Sequence, residues 1–366
     1  MFVRLLYTTH IQIPYDLLLE GGIVEKIRVV IYGVGAIGRL VAKTLLEKKG
    51  IEIVGAIDVD PNKVGKDLGE VLGLDKKLGV VVSNDPDKVL SETKPHVVVH
   101  MTRSYLKDVF DQLVGIIKHG VNVVSTCEEL SYPYYVDVKK AKELDELAKK
   151  HGCTVLGTGI NPGFLMDTLA ITLTAPCVKL EKITITRVIN ASTRRGPFQK
   201  KIGAGLTVEE FRKKIENKEI TGHVGLEQSI SLIAAALGWE LDKIVVEPVE
   251  PVIAEKPVKT DYVDVKPGQA AGLKQIARGI KDGKEVIVLD FRAYVGAPEE
   301  YDSIDIDGVP PIHEKISPCV HGDWGTVGMV INMIPKVLTA PPGLITMKDV
   351  TIPSATPEDM RKYVKL

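Results

Sequence analysis

At 366 residues, with a formal net charge of -1 and no long basic run, the chain lacks the electrostatic footprint of a nucleic-acid binder. A hydrophobic content of 45% allows a sizeable core, and the length favours two domains over one. Cys127, Cys153, Cys177 and Cys319 show no C-x-x-C or Cys/His pairing, so a cytoplasmic small-molecule enzyme is expected, without zinc or a disulfide framework.

Residues 1–23 read as an upstream extension. Their apolar stretch is broken by Thr8, His10, Gln12, Pro14 and Asp16, too polar to span a membrane and without a signal-peptide cleavage site. From Val24 onward the pattern becomes regular. A buried strand to Tyr32 runs into Gly33-x-Gly35-x-x-Gly38 and a helix over 36–49, with Leu40, Val41, Thr44 and Leu45 on one face. Gly33 permits the tight turn, Gly35 lets the backbone approach a pyrophosphate, and Gly38 lets helix and strand pack closely. Ala36 and Ile37 open the helix whose N-terminus would face the anion. The next strand, 51–57, ends at Asp58, placed to hold ribose hydroxyls, so the expected cofactor is NAD. Lys63 and Lys66, in the polar segment 61–77, are either solvated or able to reach the extra phosphate of NADP.

Strands and helices then alternate: strand 79–83, helix 85–92, strand 96–100, helix 106–119, strand 121–125, a turn over 126–130, helix 136–151 and strand 154–156. Within the helix over 106–119, Val109, Leu113, Ile116 and Ile117 face inward. This is the pattern of a doubly wound, parallel α/β sheet of Rossmann type over residues 24–160. Ligands of such sheets sit beyond the carboxyl ends of the strands, so residues 100–103, 125–129 and 157–164 should line one crevice, with Thr102 and Arg103 near the cofactor.

Residues 161–366 read as a second, mixed α/β domain with a largely antiparallel sheet. Its expected strands are 183–190, 244–251, 262–265, 284–294 and 303–306; its expected helices are 165–174, 208–217, 223–237 and 270–279. A helix from about 323, capped near Asp323 and running to 338, should return to the first domain.

Several residues carry chemistry. Glu128 and Glu129 follow a central strand beside the expected nicotinamide, where a partly desolvated carboxylate can move protons; otherwise they mark a helix N-terminus that favours acid. Arg187 shares an apolar strand face with Ile183, Ile185 and Ile189, so it either meets a protein carboxylate or grips an anionic substrate. Asn161 lies in a Pro/Gly turn and either serves that turn or points its amide into the crevice. His100, His223, His313 and His321 lack metal-ligand spacing and read as structural. Nothing matches G-x-S-x-G, Walker A or H-E-x-x-H.

Taken together, Tyr32-Gly-Val-Gly-Ala-Ile-Gly38, Ser125-Thr-Cys-Glu-Glu-Leu-Ser-Tyr-Pro133, Gly157-Thr-Gly-Ile-Asn-Pro-Gly-Phe164, His321-Gly-Asp-Trp-Gly-Thr326 and Pro341-Pro-Gly-Leu344 resemble the 2,4-diaminopentanoate dehydrogenase family, a relative of dihydrodipicolinate reductase. The resemblance implies oxidative deamination of a 4-amino group by NAD(P)+, with Glu128 in the catalytic position. The His-His-x-x-Lys pattern of dihydrodipicolinate reductase is absent, the corresponding stretch reading Ser192-Thr-Arg-Arg-Gly-Pro-Phe-Gln-Lys200. Competing expectations are a dehydrogenase of another small amino acid, such as aspartate or homoserine, and a protein that binds NAD without turnover. Fold analogy adds a homodimer as an expectation, with no nucleic-acid or membrane partner.

Overall fold

A computed structural model describes residues 25–364 of the chain, so the extension expected over residues 1–23 lies outside it. The first part contains β1 (Ile27–Tyr32), α1 (Ala36–Glu47), β2 (Ile51–Ile57), α2 (Leu68–Leu72), β3 (Val82–Ser83), α3 (Pro86–Thr93), β4 (Val97–His100), α4 (Leu106–Lys118), β5 (Asn122–Ser125), α5 (Pro133–Val136), α6 (Val138–His151) and β6 (Thr154–Gly157). The second contains α7 (Thr168–Leu173), β7 (Lys179–Asn190), α8 (Gly196–Lys201), α9 (Val208–Glu216), α10 (Leu226–Leu237), β8 (Lys243–Val246), β9 (Glu250–Ile253), β10 (Val258–Lys259), β11 (Asp264–Val265), β12 (Ala270–Lys281), β13 (Lys284–Tyr294), β14 (Tyr301–Val309) and β15 (Ile312–Ile316). The chain ends with α11 (Gly322–Thr339) and β16 (Gly343–Ile345).

The first sheet has the order β16-β6-β5-β4-β1-β2-β3, with every pairing parallel. Its strands are buried on both faces, which is why they read as near-continuous Val and Ile runs. Helices α3, α4 and α6 cover one face; α1 and α11 cover the other, where Val41 and Leu45 meet Val330, Ile334 and Val337. The strand order reverses between β1 and β4, so the crevice opens at their carboxyl ends. The expected return of α11 is present. Beyond it the chain adds an unanticipated edge strand, β16, hidden in the sequence by Pro341 and Pro342.

The second sheet runs β15-β14-β7-β13-β12-β8, with β9 also on β12, and is antiparallel except at β7–β13. One expectation fails clearly: the segment 270–279, read as a helix, forms most of β12. Its Ala, Leu, Lys, Gln and Arg favour helix intrinsically, but Leu273, Gln275 and Ala277 are buried while Lys274, Ile276 and Arg278 are less so. Pairing with β13, β8 and β9 outweighs that propensity, and a methyl on Gly272 would overlap the Ala293 carbonyl of β13.

Smaller differences follow from capping. The helix expected over 136–151 starts at Val138 because Asp137 is extended and its Oδ1 accepts from Lys139 and Lys140 N–H. Likewise the helix expected from 165 starts at Thr168, after Asp167, whose carboxylate accepts the Thr168 N–H. The strand expected over 262–265 shrinks to β11, and that over 244–251 divides into β8 and β9.

Candidate active site

The glycine turn is built as its spacing implies. Gly33 takes φ +96°, and a methyl there would run into the Met101 carbonyl; one on Gly38 would run into the Gly33 carbonyl. A methyl on Gly35 would meet nothing within 4 Å. The first and third glycines are therefore required by the protein's own packing, whereas the second leaves open space in front of the α1 N-terminus. That opening is what a dinucleotide pyrophosphate needs, so the residues fit the expected nicotinamide cofactor.

Asp58, at the end of β2, is already engaged. Its Oδ2 accepts from Val34 N–H at 2.8 Å and from Lys63 at 3.0 Å, and its Oδ1 from Asp60 N–H at 2.9 Å. Burial opposes its ionisation, but these donors prevail and hold the carboxyl below the ordinary range. Lys63 is thus an ion-pair partner of Asp58, and Lys66 pairs with Glu70 at 3.4 Å. With Arg39, Asp60 and Asn62 these lysines line a second cleft of about 380 Å³ on the adenosine side.

A cleft of about 480 Å³ runs from Gly35, Ala36, Ile37 and Gly38 past Met101, Thr102, Arg103 and Ser104 to Glu128 and Asn161. Crevice residues expected from strand ends thus meet in one place. Thr102 is held from behind: its Oγ1 donates to Gln112 Oε1 at 2.8 Å and lies 3.1 Å from His100 Nε2. His100 is wholly buried against Ser125 and Gln112, and burial lowers its pKa to about 4, so it stays neutral.

The two adjacent glutamates separate. Glu128 faces the cleft, and burial pushes its carboxyl above the ordinary range despite hydrogen bonds from its own N–H and the Ser104 hydroxyl and the nearby charge of Lys201. Glu129 instead turns to α4, accepting the Leu106 N–H on Oε2 at 2.6 Å. It thus serves the free N-terminus of α4, an upstream helix and not the one that its own turn leads into, and it does not line the cleft. Between β5 and this turn, Cys127 is buried with its S–H directed at the Ser104 carbonyl, and burial pushes its thiol up to about 12, leaving it inert.

Of the two partners weighed for Arg187, the structure holds the protein carboxylate. The side chain is only 2% exposed, with Nη1 on Asp302 Oδ1 at 2.5 Å and Nη2 on the Val320 carbonyl at 2.6 Å. This corrects the picture of an open fork facing a substrate. Asn161 combines its two readings: it lines the cleft, while its Oδ1 accepts the Met166 N–H at 3.0 Å within the turn. His223 stacks on Phe291 with ring centroids 4.6 Å apart, and burial lowers its pKa to about 4.

Beyond the strand ends, further cleft residues escaped the sequence reading as site residues. Lys201 at the end of α8, and Asp323 and Thr326 in the first turns of α11, complete the wall opposite β4 and β5. Asp323, expected to cap α11, lies instead in its first turn, with His321 at the N-cap position. The signal for it was the glycine-rich start of α11; for Lys201 there was none, since a lysine ending a short helix reads as solvated. Among the described residues no group of three or more His, Cys, Asp or Glu is placed to hold a metal, and no helix is long and apolar enough to cross a membrane.

A family described as 2,4-diaminopentanoate dehydrogenase C-terminal domain matches residues 164–366, and one described as dihydrodipicolinate reductase, N-terminus, matches residues 27–156. The chain is 37% identical over 348 residues to a 2,4-diaminopentanoate dehydrogenase of Acetoanaerobium sticklandii, covering 93% of this chain and 98% of that one. A solved structure of an amine dehydrogenase from Mycobacterium smegmatis matches with a TM-score of 0.77 at 31% identity, covering 91% of this chain and 98% of that one. A 4-hydroxy-tetrahydrodipicolinate reductase of Methanocaldococcus jannaschii is 33% identical over 121 residues, covering 31% of this chain and 43% of that one.

Proposed function

This chain belongs to the 2,4-diaminopentanoate dehydrogenase family, and from that premise we propose that it converts 2,4-diaminopentanoate, NAD(P)+ and water into 2-amino-4-oxopentanoate, ammonia and reduced cofactor. As a member it is an oxidoreductase acting on a CH–NH2 group with a nicotinamide cofactor. The observation that carries the mechanism is that Glu128, partly desolvated, shares one cleft with the open Gly35 position and the α1 N-terminus.

In this reading Gly33, Gly35, Ala36, Ile37 and Gly38 hold the pyrophosphate, Asp58 meets the adenosine ribose through the acceptor capacity left on its carboxylate, and Thr102 and Arg103 flank the nicotinamide. When bound, the cofactor supplies the hydride acceptor. Glu128 takes a proton from the 4-ammonium, so that the nitrogen lone pair assists departure of the hydride from carbon 4. The carboxyl passes that proton to solvent, then accepts one from the water that adds to the resulting iminium, returns it to the nitrogen, and takes up the hydroxyl proton as ammonia leaves and the ketone forms. A carboxyl lifted toward neutrality suits this exchange in both directions. Asn161 fixes the edge of the substrate site, and Arg187 contributes as a paired charge behind the His223 and Phe291 wall.

NAD remains the preferred cofactor on Asp58, with NADP admitted by Arg39, Lys63 and Lys66 on the adenosine side. We place the enzyme in the cytoplasm, in keeping with its free thiols, as a homodimer; light scattering that gave a monomer mass would remove the dimer. The decisive experiment offers NAD+ and NADP+ in turn with 2,4-diaminopentanoate, aspartate, homoserine and simple amines, and follows reduced cofactor. Turnover of aspartate or homoserine in place of the diamino acid would redirect the assignment. Cofactor binding without turnover of any substrate would favour a non-catalytic role.

A further inference from the structure

We propose that Lys201 and Asp323 form a clamp for the amino-acid end of the substrate, Lys201 taking the carboxylate and Asp323 the 2-ammonium, while Glu128 works on the 4-amino group. The inference rests on the amine-oxidation reading above and assigns the groups which select a diamino acid over a plain alkylamine.

Four charged side chains from separate elements line the one cleft: Arg103 after β4, on the side given above to the nicotinamide, Glu128 after β5, Lys201 ending α8 and Asp323 in the first turn of α11. Lys201 is exposed and has no ion-pair partner among the described residues. It also borders a smaller recess of about 60 Å³ with Phe198, Thr221, His223 and Phe291. Its positive charge is felt at both Glu128 and His223, as expected of an ammonium set between cleft and recess. Arg187, a buried cation that also acts on His223, is occupied by Asp302 and the Val320 carbonyl.

Asp323 has one ionic neighbour, Arg195, at 3.9 Å, the outer limit of a pair. A carboxylate offers about four acceptor sites, so most of its capacity is open to a substrate ammonium. In the diamino acid, carbon 4 and the carboxyl carbon are three bonds apart, about 4 Å when extended. A base at one end, a cation at the other and an acid beside the middle therefore match the substrate's charges in order. An alkylamine in the same cleft would leave Lys201 and Asp323 without partners, which is how a site rejects an analogue lacking a polar group.

The test compares kcat/KM for three five-carbon amines: 2,4-diaminopentanoate, 4-aminopentanoate, which lacks the 2-amine, and pentan-2-amine, which lacks both groups. Lys201→Met should cut the preference for 4-aminopentanoate over pentan-2-amine about 10- to 100-fold, the range for a charged hydrogen bond, and Lys201→Arg should restore most of it. Asp323→Asn should cut the preference for 2,4-diaminopentanoate over 4-aminopentanoate by a similar factor, with no change in the ratio that Lys201 controls. Ratios that stay within about twofold of wild type would overturn the clamp while the amine chemistry stood. Wild-type protein that reduced no cofactor with any of the three would instead defeat the underlying reading.

Discussion

Glu128 and Glu129 are consecutive, yet they serve different elements: Glu129 Oε2 receives the Leu106 N–H at 2.6 Å at the head of α4, while Glu128 borders the cleft. One peptide unit separates a capping carboxylate from a proposed acid–base group, and substitutions at the two sites should part company accordingly.

Glu128→Gln should lower turnover by ~10²-fold or more while leaving cofactor affinity nearly intact. It should also raise the melting temperature at neutral pH. The sign follows from the raised carboxyl: between the ordinary glutamate pKa and the folded-state value, the folded protein binds more protons than the unfolded chain, so stability falls as pH rises through that window. Gln removes that loss, and the gain should vanish when both forms are compared below the ordinary value. Paired turnover and melting measurements against pH check both halves; unchanged turnover would take Glu128 out of the reaction.

Glu129→Ala should behave in the opposite way. Removing the acceptor for Leu106 costs about 0.5–2 kcal/mol of stability, the range for a lost helix cap, and should be read by denaturant unfolding. The kcat of the folded variant should stay within a few-fold of wild type; a loss as deep as that at Glu128 would mean both carboxylates act on the substrate.

Gly33→Ala and Gly35→Ala make a contrasting pair. The first must strain a backbone at φ +96° and overlap the Met101 carbonyl, so it should destabilise the protein. The second has room for its methyl in the protein alone, so thermal stability should hold while cofactor affinity drops. Calorimetric titration with NAD+ and a melting curve distinguish them; normal affinity in Gly35→Ala would show that the pyrophosphate does not approach there.

Arg187→Met should be strongly destabilising, by about 3–5 kcal/mol, because it leaves Asp302 buried without its partner. Replacing both, as Arg187→Met with Asp302→Leu, should recover much of that loss. A single variant that kept wild-type stability would show that the ion pair is dispensable for folding.

What the sequence made legible was local. The strand, glycine turn and helix from Ile27 to Glu47 depend on neighbours within one supersecondary unit, and Glu128 is marked by its place on the turn that follows β5. Relationships across the chain were hidden. The odd placement of Arg187 was visible as a charge on an apolar face, but Asp302 reaches it through the register of β7 with β14, which no spacing records. Lys201 and Asp323 come to the cleft by the packing of one part against the other, and the Ala270–Lys281 segment becomes a strand only because three others flank it.

The return of α11 and β16 to the first sheet has a consequence for biosynthesis. Strands β1, β4, β5 and β6 leave the ribosome early, but Val330, Met333, Ile334 and Val337, which cover their Val29, Ile31, Val97, Val99, Val124 and Leu156, are translated only after the whole second sheet. Until then one apolar flank of the nucleotide-binding half stays bare, so a nascent chain stalled in its second half is a ready client for chaperones. Nucleotide would gain its full hold on this half once translation had delivered α11.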